Sequence, residues 1–268
     1  MKKMPMNVDY IEKGTGKTVI LIHSSGAGNK QWRSLMDFLS DDYHLIAPNL
    51  FGYGATNEWI NHKPQTLEDQ AELVRPFIPS DGSNFSIVGH SFGGSVAMMA
   101  AKLFKDCVDK LILIEPNPFY LLKDITNAAS YNEVMALHDC IKTNGASENW
   151  ELAAKVFADY WNGAGTWAAM DQIRRTKFTK VLKPNVHEWD AVLNEKTPLK
   201  DWATFLPIDT TVLRCTETVQ SINDIVNLMS SEIKDWKCIN YSEGGHMAPL
   251  SRPDIINPII SAALQGDG

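Results

Sequence analysis

The sequence contains no apolar run of the roughly 18 residues a membrane-spanning helix needs, so no transmembrane segment is expected. Cysteine is sparse. Cys107, Cys140, Cys215 and Cys238 show neither metal-ligand nor C-x-x-C spacing, which leaves free thiols as the simplest account. The first residues, Met1-Lys2-Lys3-Met4-Pro5, lack the long apolar stretch of a signal peptide. A cytoplasmic protein is therefore expected. Positive charge is also in short supply: 25 Lys and Arg stand against 32 Asp and Glu, a net charge of −7. That balance argues against a nucleic-acid partner or an anionic membrane surface. Lys2-Lys3 and Arg174-Arg175 are the local basic clusters, and both read as solvated surface charge. Repeats, low-complexity tracts and long linkers are absent too.

What is present suits an α/β fold. The 268 residues, 44% of them hydrophobic, suffice for one large domain with an insertion. Short apolar runs alternate with longer helical patterns, the signature of a mostly parallel sheet with helices on both faces. Strands are expected at 19–22, 44–47, 84–88, 111–114, 210–214 and 237–241, with a possible edge strand at 8–11. Pro116 and Pro118 break this rhythm. From about Phe119 to Phe205 the pattern is helical, without a convincing buried strand. The expected division is a core of 1–117 and 206–268 with an inserted helical cap of 118–205. That interval holds five of the eight tryptophans (Trp150, Trp161, Trp167, Trp189 and Trp202). Most should fill its own small core, and at least one should line a substrate pocket.

One segment carries most of the chemistry. Gly89-His90-Ser91-Phe92-Gly93 fits G-x-S-x-G, preceded by an apolar strand and followed by a helix-rich stretch from Phe92 to Lys105. Strand, sharp turn and helix together lift the serine hydroxyl clear of a sheet. A serine nucleophile needs a base, an acid to orient that base, and donors for an oxyanion. His246, in the glycine turn after the last strand, is the expected base. Glu115, directly after the 111–114 strand, is assigned the acid role. Glu217 is the alternative, because the position in the 214–218 loop where an Asp would be sought holds Thr218. The backbone N–H groups of Phe92 and Ser25 are the expected oxyanion donors, with Ser24 beside Ser25.

These residues together resemble the α/β-hydrolase family, serine-nucleophile branch with a helical cap, over nearly the whole chain. His23-Ser24-Ser25-Gly26 is similar to the family's His-Gly oxyanion loop, with Ser24 where glycine is common. Pro48-Asn49-Leu50-Phe51-Gly52-Tyr53-Gly54 is similar to its P-D-x-x-G-x-G turn, with Asn49 replacing the Asp. In some branches, including haloalkane dehalogenases, the acid follows the earlier strand, as Glu115 does. The dehalogenase and epoxide-hydrolase chemistries need Asp at the elbow, and Ser91 excludes both. The resemblance implies a serine hydrolase of small or medium carboxylic esters, thioesters or lactones with an apolar portion, using no cofactor or metal. Two alternatives remain: a Ser-His C–C hydrolase, lyase, perhydrolase or cofactor-free oxygenase on the same fold, and a non-catalytic small-molecule receptor.

Overall fold

The computed structural model describes residues 7–125 and 129–266; Lys2 and Lys3 lie outside them. Seven strands form one sheet: β1 (Tyr10–Lys13), β2 (Lys17–Ile22), β3 (Tyr43–Pro48), β4 (Phe85–His90), β5 (Val108–Ile114), β6 (Thr210–Cys215) and β7 (Lys237–Tyr241). Their order is β1-β3-β2-β4-β5-β6-β7. The β1 strand is antiparallel to β3, and all other neighbours are parallel.

Alternation within each strand builds two cores. Ile20, Ile22, Ile87, Leu111 and Leu113 face one side, where α2 (Leu67–Ala71), α3 (Phe92–Leu103) and α10 (Gln220–Glu232) pack. Val19, Leu21, Val88, Ile112 and Ile114 face the other, against α1 (Arg33–Leu39), α11 (Ala248–Ser251) and α12 (Pro253–Gln265). A sheet covered on both faces explains why these strands read as continuous apolar runs.

All the expected strands form, and every one except 237–241 differs by one to three residues at one end or both; two of these shifts bear on the site. The edge strand begins at Tyr10 rather than Val8, because Asp9 serves a neighbouring turn instead of the ladder. Its carbonyl accepts the Asn49 N–H at 2.7 Å, and its carboxylate accepts Asn49 Nδ2 and the Ala55 N–H. This also accounts for Asn49, since an aspartate there would face the Asp9 carboxylate with no proton between them. The strand before Ser91 starts at Phe85 and continues past the expected end at Val88 to His90, with Gly89 and His90 paired to Leu113 and Ile114. Glycine at 89 is required, since a Cβ would lie 2.3 Å from the Gly93 carbonyl oxygen.

Between β5 and β6 the described residues form a 3₁₀ turn (Phe119–Asp124) and six helices: α4 (Ala129–Ala146), α5 (Trp150–Asn162), α6 (Thr166–Ala169), α7 (Gln172–Leu182), α8 (Asn185–Leu193) and α9 (Leu199–Phe205). Among the described residues none from 119 to 205 lies in a strand. The sheet order reverses direction between β2 and β4. The carboxyl ends of those strands therefore flank a crevice, the usual ligand position in open α/β sheets.

Candidate active site

The carboxyl end of β4 delivers Ser91 into that crevice. Its backbone is left-handed, with φ 55° and ψ −119°, a conformation costly for a residue with a Cβ and concentrated at functional sites. Close packing imposes it. At Gly93 a Cβ would sit 2.3 Å from the Ile22 carbonyl oxygen, so the turn and the start of α3 rest directly on β2. Glu115, at the end of β5, is likewise held at φ 45°.

The structure brings Ser91, His246 and Glu115 together from three loops. Ser91 Oγ donates to His246 Nε2 at 2.8 Å, and His246 Nδ1–H donates to Glu115 Oε2 at 2.6 Å. All three are buried. The remaining Glu115 lone pairs are used as well: Oε1 accepts the Cys215 N–H and Oε2 the Thr218 hydroxyl, each at 2.7 Å. A buried carboxylate needs such partners. Thr218 thus occupies the place where an acid was sought and donates instead to Glu115, which follows the neighbouring strand. Glu217 is exposed, one residue away. Trp161 stacks on the His246 ring, with centroids 4.0 Å apart and planes at 23°.

Behind these groups lies a polar network that sequence reading did not find. His90 Nε2–H donates to the His246 carbonyl at 2.8 Å, and Gln31 Nε2 donates to His90 Nδ1 at 3.1 Å. Gln31 Oε1 in turn accepts the N–H and the hydroxyl of Ser24, at 3.1 and 2.8 Å. One chain of bonds therefore ties the loop of His246 to the loop after β2. His23 anchors that loop from below, donating from Nδ1 to the Ser24 carbonyl and accepting the Leu50 N–H. Burial lowers its pKa to about 4. Burial and the neighbouring His246 also hold His90 well below the usual histidine range. Both rings are therefore neutral at pH 7.

Ser24's amide is committed to Gln31, and the next amide is that of Ser25. Phe92 opens α3, where no preceding turn accepts its N–H. Ser25, Phe92 and Ser91 line one small recess together with Glu188. Glu188, from α8, is fully buried. It accepts the Ser25 hydroxyl at 2.5 Å, Asn185 Nδ2 at 2.7 Å and the Tyr53 hydroxyl at 2.8 Å. Tyr53 in turn accepts the Gly26 N–H at 2.9 Å. Burial raises the Glu188 pKa, with the three bonds opposing it. Nothing local in the sequence marks this residue, which lies 163 positions from Ser25.

On the outer side Ser91 and His246 open into a cavity of about 650 Å³ walled by Phe157, Trp161, Met170, Phe178 and Met247. Of the five tryptophans in the segment, Trp161 lines both spaces and Trp189 the inner recess. Trp202 is buried, donating to the Tyr120 hydroxyl, while Trp150 and Trp167 lie under the cations of Lys183 and Arg175. Among the described residues no cluster of metal-ligating side chains occurs, and no helix is long and apolar enough to cross a membrane.

A model of the alpha/beta hydrolase family matches residues 19–258. The 2-hydroxy-6-oxo-6-(2'-aminophenyl)hexa-2,4-dienoic acid hydrolase of Metapseudomonas resinovorans is 35% identical over 114 residues, which cover 39% of this chain and 37% of that protein. The chain thus matches little more than a third of that relative's length. Among solved structures, a thermophilic esterase from Thermogutta terrifontis superposes with a TM-score of 0.75 at 19% identity, covering 99% of this chain and 96% of its own. The enol-lactonase from Burkholderia xenovorans superposes with a TM-score of 0.74 at 13% identity, covering 97% of each.

Proposed function

The chain belongs to the alpha/beta hydrolase family, and from that premise we propose that it is a serine hydrolase of small or medium carboxylic esters, thioesters or lactones. The observation that carries this reading is the unbroken line from Ser91 Oγ to His246 Nε2 at 2.8 Å and from His246 Nδ1 to Glu115 Oε2 at 2.6 Å. In this mechanism His246 takes the Ser91 proton as the hydroxyl attacks the carbonyl carbon. Glu115 holds the imidazole in the tautomer whose Nε2 is unprotonated and stabilises the imidazolium that forms. The N–H groups of Phe92 and Ser25 receive the oxyanion. His246 then gives its proton to the leaving oxygen or sulfur. Water, activated by the same ring, releases the acyl group and regenerates Ser91. The 118–205 segment acts as a cap that supplies the apolar wall, with Trp161 against the base.

A second reading, carbon–carbon bond hydrolysis by the same Ser and His, is favoured by the Metapseudomonas relative, whose named substrate is an oxo acid and not an ester.

The test is intact-mass measurement after treatment with a fluorophosphonate probe. Wild type should gain one probe mass, and Ser91→Ala and His246→Ala none. Unlabelled, folded wild type would remove the activated-serine reading.

A further inference from the structure

The pair Arg174-Arg175 belongs to a longer imbalance. From residue 172 to 187 the chain has five Lys or Arg (Arg174, Arg175, Lys177, Lys180 and Lys183) and no Asp or Glu, in a protein whose net charge is −7. Like charges three residues apart on a helix repel, so a segment of this kind is disfavoured unless something else supplies negative charge. Two of the five are occupied. Arg175 donates to the carbonyls of Trp167 and Ala168, and Lys183 lies 4.0 Å from Glu148. Lys180 is not among the residues that line the cavity.

Arg174 and Lys177 remain, one turn apart on α7, and both line the cavity that opens on Ser91 and His246. Among the described residues neither has a carboxylate partner, and no Asp or Glu lines that cavity. Phe157, Phe178 and Met170 line the same cavity. A molecule filling it would meet the nucleophile at one end, apolar surface along its length, and two unpaired cations at its rim. Solvated surface charge accounts for Lys180, and it leaves this placement unexplained.

We propose that Arg174 and Lys177 form an anion subsite, and that the preferred substrates carry a carboxylate at the end remote from the scissile carbonyl. This deepens the hydrolase reading and rests on it for the word substrate, but the subsite is measurable without turnover. The attraction is fixed by charge rather than by a rigid pocket. It should therefore tolerate variation in chain length and weaken with salt.

The test uses monomethyl esters of straight-chain dicarboxylic acids against the matching dimethyl esters, over a series of chain lengths. Binding to Ser91→Ala is measured by titration calorimetry at low salt. At the best-fitting length the monoanion should bind about fivefold tighter than the neutral diester, the effect of two exposed ion pairs. The advantage should vanish when Arg174→Ala and Lys177→Ala are added, and should persist with Lys180→Ala. Equal affinity, binding of neither ester at any length, or an advantage that survives loss of both cations would overturn the proposal. The last result would place the carboxylate elsewhere, for example against the oxyanion donors. If wild type hydrolyses neither ester while the binding preference holds, the hydrolase reading fails and the anion subsite stands.

Discussion

Substituting Glu115 by Gln should slow acylation of Ser91 by about 10,000-fold while leaving the fold intact. The size of the effect follows from the bonds around the carboxylate. Its Oε1 accepts the Cys215 N–H, and its Oε2 faces both His246 Nδ1 and the Thr218 hydroxyl. A glutamine keeps the first bond by placing its carbonyl oxygen toward Cys215. Its amide nitrogen then points at His246, and a donor there stabilises the ring with Nδ1 unprotonated. The proton moves to Nε2, toward Ser91 Oγ, where a base is needed. The site keeps its shape and loses its acceptor. A factor of 10,000 corresponds to about 5 kcal/mol of barrier. The stability cost is smaller, about 1.5–3 kcal/mol for hydrogen bonds to a charged group. The assay is the second-order rate constant for fluorophosphonate labelling, read by intact mass, with thermal melting as the check on folding. Glu217→Gln is the control, because that side chain is exposed and should leave the rate unchanged. Labelling of Glu115→Gln within about threefold of wild type would refute the tautomer argument. A large loss in Glu217→Gln instead would move the acid role to that residue.

Two further outcomes follow from the groups behind the serine. The His23 pKa in the folded protein is lowered by burial to about 4 from 6.5. The unfolded chain therefore binds the proton first, and this stabilising contribution is present above pH 6.5 and lost as pH falls toward 4. The loss amounts to about 3 kcal/mol, and urea denaturation of wild type and His23→Gln should diverge in slope across that window; coincident slopes would contradict it. Glu188→Gln and Ser25→Ala should each lower kcat by about tenfold, and the double variant should be little worse than either, since both act on one bond beside the Ser25 N–H proposed to receive the oxyanion. Fully additive effects would mean that Glu188 acts apart from Ser25.

The sequence alone determined what depends on near neighbours. Apolar runs such as Val19–Ile22 and Leu111–Ile114 set the parallel sheet, because strands buried on both faces carry no polar alternation. The glycines around Ser91 marked the sharp turn, because only they let α3 rest on β2. Tertiary structure decided what depends on distant partners. Glu115 and Glu217 both follow strands that end on the same rim, and local pattern does not tell them apart. Packing does: Glu115 meets a histidine 131 residues away, while a threonine 103 residues away fills the position where an acid was sought. Gln31, His90 and Glu188 escaped notice for the same reason. A buried polar side chain is defined by its partners across the fold, and neither its spacing nor its neighbours in the chain reveal them. The cations of α7 were visible as charge, but which of them share a cavity with Ser91 depends on how the helices between β5 and β6 fold back over the sheet.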